Sequence, residues 1–342
     1  MEKRNYGVLD IAKFISALLV IAIHCAPFYQ VNETWNFVYV QIIARLAVPF
    51  FFTASGWLFF QKLDIQKGAK DEGNLHVLKR YWLRILKLYL VWSALYLPLL
   101  IASWIKGGFG FSTCIRFLRD FLFNGTFYHL WFLPALLLGI LIVYILIMKY
   151  KRRSALCICF ILYMLGMLIN VYGSELINVP LLNSLLSLYE SVLVTARNGI
   201  FFAPLYLLLG FFAQDFINNK FKKQALGAFL ISFIALCAEA FLYRYLHMMN
   251  DLTSMYFCLV PTVFFLFIYL LQLSFNGNVI TLYLRKLSLL IYVSHIYFIT
   301  LFMNVLKLSN LTVYLLTIVC SCAFSWCIIV LSDRYPRLKV MM

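Results

Sequence analysis

Asp10-Ile-Ala-Lys13-Phe-Ile-Ser-Ala-Leu-Leu-Val-Ile-Ala-Ile-His24 is the stretch from which the fold follows. A basic residue and an imidazole bracket ten residues, all apolar except Ser16. A bilayer core of about 30 Å takes about 20 helical residues, and the apolar run around this stretch, at 8–29, has that length. Comparable runs recur at 37–60, 82–104, 127–148, 154–172, 199–216, 223–246, 254–274, 284–306 and 310–332. They are too long and too uniformly apolar for barrel strands, whose residues alternate between lipid and lumen. The expected fold is therefore all-α: a polytopic bundle of about ten transmembrane helices forming one membrane unit over 1–342, with no separate soluble domain.

Composition agrees. Hydrophobic residues make up 64% of the 342, charged residues 12%, and the mean hydropathy is +0.90. Soluble domains carry about 45–50% apolar and about 25% charged residues, so a soluble globule, a disordered chain and a secreted disulfide scaffold are excluded. The net charge of +16 does not point to nucleic acid. Most of the 29 basic residues sit in short clusters between apolar runs, such as Lys79-Arg80, Arg84 and Lys87, or Lys149-Tyr-Lys151-Arg152-Arg153. That bias predicts both termini in the cytoplasm and membrane lipids as the surrounding partner. Asp10 and Lys13 interrupt the first run and no small-x-small site follows it, so it reads as a span, not a cleaved leader. Most of the nine cysteines lie inside apolar runs and read as small hydrophobes; no metal-ligand cluster is apparent.

Ionisable groups in a span are expensive and mark functional candidates. Lys13 and His24 are eleven residues apart, three helical turns, and so share a face about 16 Å apart along the axis, with Asp10 one turn before Lys13. A snorkelling Lys13 paired with Asp10, and a His24 bonded to a neighbouring carbonyl, is the alternative. Arg80, Arg84 and Lys87 follow i, i+4, i+7 spacing at the entry to the third run; guanidinium groups suit phosphate, though anionic lipid would satisfy the same cluster. Arg45 and Ser55 in the second run, Glu190 and Arg197 before the sixth, and Glu239 within the seventh are further candidate wall groups. His129 and His295 read more readily as structural histidines. The long connections at 105–126 and 173–198 mix apolar and polar residues, as interfacial or re-entrant pieces near a substrate entrance do.

Several of these stretches together resemble the acyltransferase-3 family of integral membrane acyltransferases: Asp10-x-x-Lys13 with ten residues to His24; Arg45-Leu-Ala-Val-Pro-Phe-Phe-Phe-Thr-Ala-Ser55-Gly56; Lys79-Arg80-x-x-x-Arg84-Ile; His129-Leu-Trp-Phe-Leu-Pro134; and Ser288-Leu-Leu-Ile-Tyr-x-x-His295. Within that family, Thr126-Phe-Tyr-His-Leu-Trp and Ala196-Arg-Asn-Gly-Ile-Phe-Phe-Ala-Pro204 look most like the membrane half of membrane-bound serine racemases of the glycopeptide-resistance type; the soluble racemase half has no counterpart in this sequence. The resemblance implies ten core helices, a cytoplasmic acyl-CoA co-substrate (acetyl-CoA above all), no metal, and an acceptor hydroxyl on a cell-surface glycan or small molecule. His24 would then be the base, Lys13 and Asp10 its charged support, Arg80, Arg84 and Lys87 the phosphate ligands, and Arg45 and Ser55 groups that position donor or acceptor. The alternative is a carrier for a small amino acid such as L-serine, in which Glu190, Arg197 and Glu239 supply the contacts.

Overall fold

The computed structural model describes residues 6–176, 184, 189, 191–217, 221–248, 254–273, 275 and 277–342. Glu190 and the basic residues Lys3, Arg4 and Lys220 lie outside them. The described residues form helices and no strand. Eight helices are long and apolar enough to cross a membrane: α1 (Gly7–Cys25), α2 (Glu33–Phe60), α3 (Glu72–Gly107), α5 (Phe132–Lys149), α6 (Arg152–Leu176), α8 (Lys222–Tyr245), α10 (Val279–Val305) and α11 (Asn310–Arg334). The runs expected at 199–216 and 254–274 form shorter helices, α7 (Ala203–Phe216) and α9 (Leu259–Leu271). Polar starts explain the shortening: Asn198 accepts from Ile200 N and Phe201 N before α7, and the non-helical Ser254–Tyr256, whose Ser254 and Met255 amides bond Asn170, precedes α9. The connection at 105–126 contains a strongly amphipathic helix, α4 (Phe111–Arg119).

Two compact units make up the chain, Met1–Ala54 with Asp215–Ala240 and Cys258–Met342, and Ser55–Gln214 with Phe241–Phe257. In the first, α1 packs along α10, and both touch α11. Leu9, Ala17, Val20, Ile21 and Cys25 supply the buried face of α1 at helical spacing. Helix α10 starts at a reciprocal cap, Asn278 accepting from Thr281 N and donating its own N–H to the Thr281 hydroxyl, both at 3.0 Å. At its Asp10 end, α1 is tied to α10 by a two-pronged ion pair: Arg285 donates from Nε to Asp10 Oδ1 and from a terminal nitrogen to Oδ2, both at 2.8 Å. At the other end α1 stops at once after Cys25, because Ala26 adopts a left-handed conformation (φ 47°) before Pro27. A proline disfavours a right-handed helical residue before it, and Asn310 on α11 donates to the Ala26 carbonyl at 3.2 Å.

In the second unit α3 is 36 residues long, about 54 Å at 1.5 Å per residue, so it reaches well beyond a bilayer core. Asp71 caps its first turn through Asn74 N at 3.0 Å. Asn74, itself buried, donates to the Asp64 and Gly68 carbonyls and accepts from Asp64 N, pinning the loop that joins α2 to α3. Buried polar bonds also organise the core: the Tyr163 hydroxyl donates to Tyr256 O at 2.8 Å, and Asn170 accepts from Ser254 N and Met255 N. Gly56 faces the backbone of α7, where an added Cβ would fall inside contact distance of the Leu207 carbonyl.

Two thermal-denaturation results follow. Gly56→Ala should destabilise by about 1–3 kcal/mol through overpacking, whereas Gly227→Ala, with nothing near its Cβ position, should be neutral or slightly stabilising; equal Tm values would contradict the close approach of α2 to α7. For the ion pair, the Asp10 side chain is 2% exposed and that of Arg285 45%, so Arg285→Ala, which strands a buried carboxylate, should lower Tm more than Asp10→Ala. The reverse order would contradict the pairing.

Candidate active site

The first unit holds three of the residues expected to carry the chemistry. Asp10, expected to support Lys13, is committed by both oxygens to Arg285. Lys13 is half-buried on the next turn of α1. His24, also half-buried, lies on the last turn, and its ring centre is 5.4 Å from that of His295 on α10, with 31° between the planes. Both helices therefore begin at one end of the unit with Asp10 and Arg285 and bring their imidazoles together further along. His295 is fully buried, and its Nδ1 lies 3.0 Å from the Ile291 carbonyl. Near the same end of α1, the Tyr39 hydroxyl of α2 and the Tyr314 hydroxyl of α11 are 2.8 Å apart, and the Tyr39 ring meets Phe28 edge-on at 5.4 Å.

Arg45 also belongs to this unit. It is 6% exposed, and its Nε and a terminal nitrogen donate to Gln41 Oε1 at 2.9 and 2.6 Å. The local backbone makes that fork possible: α2 widens into a π-turn over Val38–Ile43 and tightens to a 3-10 turn over Ala44–Leu46, irregularities common where a helix aims a functional side chain. Glu239 accepts from Cys258 N at 2.7 Å, so its carboxylate serves the start of α9.

The second unit carries the cations. Arg80, Arg84 and Lys87 are exposed along α3 as the spacing requires. Lys62, on the loop pinned by Asn74, joins them: partial burial and the charges of Arg84 and Arg80 hold its ammonium below its ordinary pKa. Ser55 lies beside Tyr81, the sequence neighbour of Arg80. Arg197 lies over the Trp131 ring, 5.7 Å from its centre, with Thr195 Oγ1 at 3.5 Å from Nε. His129 is buried among Tyr96, Phe127 and Tyr128. A cavity of about 260 Å³ opens between α3 and α4, lined by Trp104, Thr113, Arg116, Asp120 and Thr126 among others.

Sequence reasoning missed two of these groups. Arg285 is not among the sequence candidates, although a buried Asp10 needs a partner and a basic residue opening another span is the natural source. Lys62 carried no spacing signal, since a loop brings it to α3. The reading of His295 as a core histidine agrees with its full burial; what the sequence did not give is its neighbour, the His24 ring.

Comparison with known proteins gives the family. The family described as "Acyltransferase domain" matches residues 6–330. Over 278 residues the chain is 33% identical to an amino-acid racemase of Enterococcus faecalis, covering 81% of this chain and 37% of that protein. A second amino-acid racemase of that organism is 30% identical over 330 residues, and a serine/alanine racemase of Enterococcus gallinarum 29% over 329; each alignment covers 94% of this chain and 45% of the relative. The chain thus spans less than half the length of these relatives. No solved structure matches. With its apolar helices and a family match over almost its full length, the chain is a multi-pass membrane protein of the acyltransferase-3 family.

Proposed function

We propose that this protein is an O-acyltransferase of the bacterial plasma membrane, with both termini in the cytoplasm, that moves an acyl group, most simply acetyl, from acyl-CoA to a hydroxyl on a cell-surface glycan or small molecule. The observation that carries the reading is His24: an accessible imidazole on the last turn of a membrane helix, three turns from Lys13 and against a second imidazole. A neutral imidazole at that depth takes the proton of the acceptor hydroxyl as its oxygen attacks the thioester carbonyl, and returns it to the departing thiolate. Lys13 supplies positive charge where the thioester oxygen becomes negative. Asp10 supports this site through Arg285, by fixing α1 on α10. Lys62, Arg80, Arg84 and Lys87 bind the phosphates of coenzyme A, whose repeated negative charge suits a cluster in which cations already repel one another. Arg45 and Ser55 are wall groups for donor or acceptor. The racemase names belong to longer proteins, and the carrier reading loses support because Glu239 is engaged at the start of α9.

Two measurements test this. With labelled acetyl-CoA and a membrane acceptor fraction, His24→Ala should lose about 10²–10⁴-fold in transfer rate while still reaching the membrane; an unimpaired variant would reject the base. Arg80→Ala combined with Arg84→Ala should raise KM for acetyl-CoA about tenfold or more and leave kcat nearly unchanged. An unchanged KM would mean that the cluster serves lipid instead.

A further inference from the structure

Helix α4 faces the wrong way for a segment bathed in water. Its apolar residues Phe111, Ile115 and Leu118, with Leu122 in the turn that continues it, recur at i, i+4, i+7 and i+11, and each is more than half exposed. Its polar residues Thr113, Arg116 and Asp120 instead line the cavity of about 260 Å³ beside α3. An amphipathic helix in water turns its apolar stripe to the core; the reverse is favourable where the surroundings are hydrocarbon. Depth agrees. Trp104, on the same cavity, lies twenty residues beyond Arg84 on α3, about 30 Å at 1.5 Å per residue, the thickness of a bilayer core. The cavity therefore sits in the head-group layer, where tryptophans gather, at the membrane surface opposite Arg80 and Arg84.

Charge selects the occupant. Among the described residues the Arg116 guanidinium makes one bond, from a terminal nitrogen to the Thr113 hydroxyl at 3.2 Å. Asp120, one turn on, is already neutralised by Arg119: two Arg119 nitrogens and Asn124 Nδ2 meet its Oδ1 at 2.9–3.0 Å, while Oδ2 makes no bond among the described residues. The cleft thus holds one uncompensated positive charge, whose fork suits phosphate, beside a carboxylate oxygen that accepts from a hydroxyl. Its floor is fixed: buried Thr126 donates its N–H to the Tyr89 hydroxyl at 3.0 Å and its own hydroxyl lies 2.7 Å from that of Ser93. We propose that this cleft binds the head group of an anionic glycerophospholipid bearing free hydroxyls, as phosphatidylglycerol does. The phosphate sits on Arg116 and a glycerol hydroxyl on Asp120 Oδ2. The cavity is smaller than the roughly 300–1,000 Å³ of sites for drug-sized ligands, so it takes the head group alone, and the acyl chains run along the exposed Ile115 and Leu118 of α4 and Ile101 and Ile105 of α3. Neither Arg116 nor Asp120 has a part in the proposed transfer, so the site stands independently of it.

The test titrates detergent-solubilised protein with short-chain lipids and reads binding by native mass spectrometry. Phosphatidylglycerol should bind about tenfold or more tightly than phosphatidylcholine, and Arg116→Gln should lose about tenfold or more of that affinity, as removal of a charged hydrogen bond does. Lys106→Gln removes a charge from the same end of α3 outside the cleft and should leave the affinity unchanged. Phosphatidylmethanol, with the same charge and no hydroxyl, should bind about fivefold more weakly than phosphatidylglycerol, and glycerol phosphate, with no chains, should not bind at these concentrations. Equal binding of phosphatidylcholine, or of phosphatidylmethanol, would overturn the head group assigned. Glycerol phosphate bound as tightly as the lipid would make the cleft a site for a soluble anion. An equal loss in Lys106→Gln would reduce the effect to diffuse attraction and overturn the site. The four ligands on the wild-type protein decide even where Arg116→Gln fails to fold.

Discussion

The Asp10–Arg285 ion pair is the constraint on which the first unit depends. A carboxylate 2% exposed in an apolar helix is tolerable only when its charge is met at close range, and both of its oxygens are met at 2.8 Å. The pair couples the two helices that carry the imidazoles. Because a fork on a carboxylate allows little rotation, it sets the register of α1 on α10, and the meeting of His24 with His295 follows from that register. The same economy recurs elsewhere: Arg45 forks on Gln41, Glu239 serves a helix start, and Asn170 takes two backbone amides. Polar groups at membrane depth are consistently placed where another polar group needs them.

The chemistry and the scaffold are linked through backbone irregularity. Helix α1 ends just beyond His24 because Ala26 turns left-handed before Pro27, a conformation that costs roughly 1 kcal/mol for a residue with a Cβ. Helix α2 departs from regular winding in the turns that hold Gln41 and Arg45. Neither break falls where the helix simply reaches the end of its apolar run. Each frees or redirects a polar side chain inside the unit, and the accompanying hydrogen bonds, such as that from Asn310 to the Ala26 carbonyl, show that the rest of the fold holds these breaks in place.

Much of this was legible in the sequence. Spans announce themselves because lipid leaves the backbone only its own hydrogen bonds, and length and hydropathy then suffice; eight runs became long helices and two shorter ones. The Lys13–His24 spacing and the Arg80–Arg84–Lys87 face were readable because both lie on single helices of fixed periodicity. Partnerships across the fold were not. Asp10 with Arg285 is separated by 275 residues, and periodicity within one helix says nothing about the facing one. Lys62 joined the cations through a loop whose shape depends on the three bonds of Asn74. Nor did anything in the seventh run reveal that a neighbouring helix begins beside Glu239.

That neighbour, α9, has 13 residues, a rise of about 20 Å against a hydrocarbon core of about 30 Å. Its first amide faces Glu239 and the residue after its last turn, Gln272, donates to the Phe216 carbonyl, so both of its ends are supplied with polar company at a depth where lipid offers none. Every residue of Leu259–Leu271 is at least partly covered by protein, so the length of α9 is set by the polar partners waiting at its two ends and not by the thickness of a bilayer.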